Sequence, residues 1–175
     1  MPQSHDSTAV LDPARRTARL AGKYMGFQLG AESFGIEILK VQEIIGLLPI
    51  TAVPRTPAFV RGVINLRGKV IPVIDLRRKF GLEAREDTEL TCIMVVQVAV
   101  DDQEVTVGII VDQVSEVMDI PADQVQPTPS LGDTDAEEFL LGLGKFGDQV
   151  VMLLAVDQIL SGREWNLVGA MGEES

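Results

Sequence analysis

The sequence predicts a mainly β protein in which two small five-stranded barrels pack together around a shared core. Three observations carry this. Short apolar runs punctuated by Gly, Pro, Asn and Asp fill two blocks of the chain, and closing each block into a barrel removes the exposed edges that short strands would otherwise leave. The second block repeats the order of the first. At 175 residues the chain suits one domain, or two lobes with a common core, burying roughly 70% of its unfolded surface.

Residues 1–23 are polar, carry Pro2 and Pro13, and set Arg15, Arg16 and Arg19 among few apolar residues, so a flexible N-terminal tail is expected. The runs Met25-Gly26-Phe27-Gln28-Leu29 and Phe34-Gly35-Ile36-Glu37-Ile38, separated by Gly30 and Ser33, read as a hairpin. Residues 43–53 read as a bent strand, with Pro49 at an edge or bulge because it cannot donate to a ladder. Residues 54–60 read as a short helical turn with Thr56 as N-cap and Pro57 at the first helical position. A long hairpin over 61–76 follows, and the polar run 83–89 bridges the blocks, so two lobes are expected to join near 77–90. The second block holds β-rich runs at 91–98, 105–111 and 114–120, a loop rich in Pro, Ser and Asp at 127–136, further apolar runs at 139–141 and 150–156, and a short helix at about 156–160. The structured domain spans 24–160, and 161–175 form a C-terminal tail.

The repeat is visible residue by residue. Phe34-Gly35-Ile36 aligns with Val107-Gly108-Ile109, and the same shift carries Val41 onto Val114 and Glu43 onto Glu116. Phe59-Val60-Arg61-Gly62 then matches Phe139-Leu140-Leu141-Gly142, with 69–76 falling roughly on 148–155.

Composition excludes several functions. A net charge of -11 and a pI near 4.5 oppose nucleic-acid binding, which rests on clustered Lys and Arg. No apolar run approaches the roughly 18 residues of a spanning helix, and no signal-peptide core is present, so a cytoplasmic protein is expected. Cys92, the single cysteine, lies in an apolar run and reads as a buried structural thiol. The only histidine is His5, in the tail, so a nucleophile–base pair has no base. Glu37, Glu43 and Asp75 have no metal-ligand spacing, and no cofactor is expected. The glycines of 142–147 match the dinucleotide-loop spelling, which leaves a nucleotide-binding enzyme as a rival reading. The run Val150-Val151-Met152-Leu153-Leu154 after them reads as a strand rather than the helix such a loop requires, favouring a hairpin.

The stretch 61–76 is the most informative: two apolar strands around a polar knot. Gly62 and Gly68 supply turns, and Asn65 and Arg67 sit in the connection, where Asn tolerates left-handed geometry. Two readings of Arg67 stand together. It is part of a turn, or it presents a fixed guanidinium able to pair with a carboxylate in two-point fashion.

The segments "FGIEILKVQEI", "TPAFVRGVINLRGKVIPVIDLR", "VGIIVDQVSEV" and "LLGLGKFGD", in that order, closely resemble the CheW-like family of bacterial chemotaxis adaptors over 24–160. The resemblance implies two five-stranded SH3-like barrels around a shared core, with short helical turns, a short C-terminal helix and no catalysis. It implies an adaptor that couples the cytoplasmic tips of methyl-accepting chemoreceptors to the regulatory domain of the histidine kinase CheA, recruited from the cytoplasm to membrane receptor arrays, with homotypic ring contacts possible. A scaffold of a non-chemotactic array, for surface motility or second-messenger control, is the alternative. Carried over by position, Val41, Glu43, Ile44, Asn65 and Arg67 fall on the receptor-binding surface, with Glu43 and Arg67 expected as an ion pair. Gln126 and Leu131 fall on the kinase-binding ring contact, where this chain departs from the charged and aromatic residues that would anchor it best.

Overall fold

The computed structural model describes residues 21–83, 86–100, 102–127 and 139–159. The described residues form strands β1 (Gly22–Leu29), β2 (Glu32–Glu37), β3 (Val41–Gly46), β4 (Val60–Leu66), β5 (Lys69–Asp75), β6 (Cys92–Val100), β7 (Gln103–Val111), β8 (Gln113–Ile120), β9 (Val125–Gln126), β10 (Leu140–Phe146) and β11 (Gln149–Leu154). One helix, α1 (Leu76–Lys79), follows β5, and single 3-10 turns occupy Ile38–Lys40, Ala122–Gln124 and Val156–Gln158. The last of these stands where a short C-terminal helix is expected. The tails 1–20 and 160–175 lie outside the described residues.

The strands make a five-stranded sheet, ordered β3-β6-β7-β5-β4, and a six-stranded sheet, ordered β8-β1-β2-β11-β10-β9. Both are strongly buried, and alternate residues go to different cores. From β6, Ile93 and Val95 join Ile64, Ile71, Val73 and Ile110 inside the first barrel. Their neighbours Met94, Val96 and Val98 join Phe27, Ile36, Ile74, Ile109 and Leu154 in the core between the barrels. In β11, Val151 and Leu153 join Tyr24, Met118 and Ile120 inside the second barrel. A strand buried on both faces needs an unbroken apolar run, which is why Ile93-Met94-Val95-Val96 shows no alternation in sequence.

The repeat extends to register. Pairing in β4–β5 goes from Val60 with Ile74 to Gly62 with Val73 across a bulge, and pairing in β10–β11 goes from Leu140 with Leu154 to Gly142 with Leu153 across the same bulge. Parallel pairing places Val73 opposite Gly108 in one sheet and Leu153 opposite Gly35 in the other.

Several local expectations change. The strand expected over 43–53 ends at Gly46, before Pro49; Leu47, Leu48 and Ile50 instead pack on the first barrel's core, and Thr51 makes an isolated bridge to Val63. Residues 54–60 form no helix, because the Thr56 hydroxyl donates backwards to the Val53 carbonyl (2.9 Å) rather than accepting from the following turn. The helix lies further on, where the Asp75 carboxylate accepts from Arg77 N at 3.0 Å and caps Leu76-Arg77-Arg78-Lys79. Gly62 makes no turn. It sits at the β4 bulge with φ 142°, where a Cβ would lie 2.1 Å from the Thr51 carbonyl oxygen. A division near 77–90 separates the two repeats but not the two sheets, since β1 and β2 belong to the second sheet and β6 and β7 to the first.

Candidate functional site

The β4–β5 hairpin turns on two residues, Arg67 and Gly68, both left-handed at φ 53° and 86°. Such turns follow the twist of the flanking strands and favour Asn or Gly at their first position. Arginine there is uncommon, because a side chain at positive φ crowds its own backbone. Asn65 holds the turn: its Oδ1 accepts from Gly68 N at 2.9 Å.

The turn aims Arg67 at β3. Its Nη1 donates to Glu43 Oε2 at 2.6 Å and its Nη2 to Oε1 at 2.7 Å, so the sequence-expected ion pair forms with two-point geometry. Arg67 keeps 70% of its side-chain surface and Glu43 30%, so the guanidinium faces solvent while the carboxylate is partly sheltered. The hydrogen bonds from Arg67 hold the Glu43 carboxyl below the ordinary carboxylate range, and the bonds to Glu43 push Arg67 further up. Ile44, next along β3, is 40% exposed on the opposite face of the strand, since it pairs with Met94 where Glu43 pairs with Val95.

The remaining expected positions are placed differently. Val41 is half-buried against the shared core, and the β3–β6 bulge between Val41 and Glu43 puts it on the same face of β3 as Ile44, the two lying opposite Val96 and Met94. Asn65 is exposed. Gln126 is exposed on β9 of the other sheet, opposite Leu143. Leu131 lies outside the described residues. Glu43 and Arg67 thus meet at the turn that Asn65 holds, Ile44 is exposed on the opposite face of β3, and Gln126 stands on the other sheet.

Sequence reasoning missed two charged latches. Arg77 donates from Nε to Asp112 Oδ1 at 2.8 Å and from Nη2 to Oδ2 at 2.5 Å, and Gly30 N donates to the same Oδ2 at 2.6 Å. Lys40 donates to Asp157 Oδ2 at 2.9 Å, while Ala99 N donates to Oδ1 at 2.8 Å. These partners are distant in sequence, and no local pattern announces them. The exposure of Leu39 (95%), Val117 (49%) and Val150 (58%) was likewise hidden inside apolar runs.

The chemistry elsewhere is sparse. Gly142 and Gly144 lie within β10 and Gly147 in the turn to β11, so the 142–147 glycines form a hairpin with no helix after them. Cys92 is half-buried, and that burial raises its thiol pKa, the opposite of an activated nucleophile. Among the described residues no cluster of His, Cys, Asp and Glu could hold a metal ion, and no helix is long and apolar enough to cross a membrane. A hollow lined by Tyr24, Glu37 and Leu39 holds about 140 Å³, against the roughly 300–1,000 Å³ of small-molecule sites.

Residues 23–164 match the CheW-like domain. The chain belongs to the CheW-like domain family. It is 41% identical over 156 residues to the chemotaxis protein CheW of Klebsiella aerogenes, covering 86% of this chain and 92% of that one. To Protein FrzA of Myxococcus xanthus it is 32% identical over 145 residues, covering 82% and 88%. The crystal structure of the scaffolding protein TtCheW from Thermoanaerobacter tengcongensis is similar at a TM-score of 0.73 and 34% identity, covering 82% of this chain and 97% of that one. The two barrels of the CheW-like fold and the adaptor character of the family thus apply to this chain.

Proposed function

We propose that this CheW-like chain is a non-enzymatic adaptor of a bacterial chemotaxis array, coupling the cytoplasmic tips of methyl-accepting chemoreceptors to the regulatory domain of the histidine kinase CheA. It acts by simultaneous binding, shifting the kinase between states rather than doing chemistry. The observation that carries this is the two-point Arg67–Glu43 pair, held by a turn conformation that arginine disfavours.

In this reading Val41, Glu43, Ile44, Asn65 and Arg67 serve the receptor. Gln126 and Leu131 serve the kinase contact. A CheW-like scaffold of a non-chemotactic array, for surface motility or second-messenger control, is the second reading.

Binding of the purified chain to receptor signalling tips and to the kinase regulatory domain from the same organism tests the proposal. Saturable micromolar or tighter binding is expected, weakened at least tenfold toward the receptor by Arg67→Ala. Full receptor binding by that variant would sink the role given to this surface, and absence of binding to either partner would sink the adaptor reading.

A further inference from the structure

The two repeats do not lie side by side. The first supplies β1–β5 and the second β6–β11, yet the β1–β2 hairpin is flanked by β8 and β11, both from the second repeat. The β6–β7 hairpin is flanked by β3 and β5, both from the first. Each repeat therefore gives its leading hairpin to the other's sheet, and the exchange is reciprocal in register as well as in order.

The consequence is energetic. Alone, the first repeat would leave β1, β2, β3 and β5 each with an unpaired edge, and unpaired strand edges and open apolar faces are not stable in water. The shared core would be halved too, since Phe27, Ile36 and Ile74 come from one repeat and Val96, Ile109 and Leu154 from the other. Both latches also cross between repeats: Arg77 with Asp112, and Lys40 with Asp157.

The covalent link contributes little beside this. Within 83–91, the Glu83 carbonyl accepts from Arg77 Nη1 at 2.7 Å, Asp87 accepts from Arg61 Nη2 at 3.0 Å, and Thr88 N donates to Thr91 Oγ1 at 2.8 Å. A break between Glu83 and Glu86 leaves all three intact, the second now spanning the break.

We infer that the two repeats are each other's binding partners: each is an unclosed half whose specific ligand is the other, and the 83–91 connector is dispensable for their assembly. The same complementarity lets one copy's first repeat complete another copy's second.

A protease site placed between Glu83 and Glu86 of the full chain tests this. After cleavage the two pieces should elute together at the intact volume with an unchanged circular-dichroism spectrum. Their unfolding midpoint should rise with protein concentration, whereas that of the uncut chain should not. Because a short linker supplies an effective concentration of order millimolar, cutting weakens assembly about a thousandfold at micromolar protein. Separation of the pieces, loss of the β spectrum, or one piece remaining folded alone would overturn the inference. If the inserted site itself prevents folding, residues 1–84 and 85–175 can be co-expressed with a tag on one: equimolar recovery is expected, and recovery of the tagged piece alone and folded overturns it.

Discussion

Hairpins β4–β5 and β10–β11 occupy equivalent places in the two repeats and share a bulge, but they turn differently. In β10–β11 the first turn position is Gly147, left-handed at φ 63°, with no side chain to strain. In β4–β5 the same position is Arg67, left-handed at φ 53° and bonded twice to Glu43. The second repeat keeps an acid in the matching place, Glu116, but offers it no arginine from the turn. The fold needs only a turn there. What the first repeat adds is a charged fork fixed in space, and a side chain held in a disfavoured backbone conformation is better explained by what it binds than by what it stabilises.

The latches give the same comparison in the interior, with the charges reversed. Arg77 on α1 meets Asp112 with 11% and 18% of their side chains exposed, whereas at the equivalent seam Asp157 meets Lys40 with 33% and 28% exposed. Removing one partner of a buried pair strands the other, at a cost of several kcal/mol. Asp112→Ala should therefore lower stability by about 3 kcal/mol, leaving Arg77 and Gly30 N without that acceptor. Asp157→Ala should lower it by about 1 kcal/mol, because water reaches Lys40 more readily. Urea unfolding of both variants checks this, and equal losses would break the contrast.

The bulge can be separated from the turn. Gly62→Ala places a methyl group 2.1 Å from the Thr51 carbonyl at φ 142°, combining a backbone clash with a conformation few residues adopt. A loss of about 2–3 kcal/mol is expected. At Gly68, φ 86°, nothing lies within 4 Å of the added methyl, so Gly68→Ala should cost only about 1 kcal/mol. Thermal unfolding of the pair would distinguish them.

Much of this was legible in the chain. Strands β1, β2, β4 to β8 and β11 stand close to their apolar runs, most plainly β6, where burial on both faces leaves the continuous Ile93-Met94-Val95-Val96. The repeat was legible because Phe-Gly-Ile and Val-Gly-Ile mark the same parallel pairing. The exchange of hairpins was not, since local pattern says which residues pair within a hairpin but not which repeat lies beside it. Helix α1 was hidden because Asp75 ends a strand and caps a helix at once. At the site, the Glu43–Arg67 pair was readable from the resemblance, while a bulge that no spacing shows puts Val41 and Ile44, three residues apart, on the same face of β3.

Replacing Arg67 with glycine makes the first turn like the second. Arg67→Gly removes the fork and relaxes the left-handed backbone, so the unfolding midpoint should stay level or rise while receptor binding falls at least tenfold. A clear drop in stability with binding retained would show that the pair serves the fold rather than the surface.

The smallest effect is the most direct measure of the pair itself. Hydrogen bonding from Arg67 lowers the folded-state pKa of Glu43, so the unfolded chain binds its proton first as the pH drops. The stabilisation is thus fully present above the ordinary carboxylate pKa and is lost as the pH falls through the lowered folded value. Side-chain carboxyl NMR should show Glu43 titrating below the ordinary range in the native chain and returning to it in Arg67→Gly. Identical titration in the two proteins would mean that the fork is not held in solution, and Arg67 would then offer a partner no more than the mobile charge of any exposed arginine.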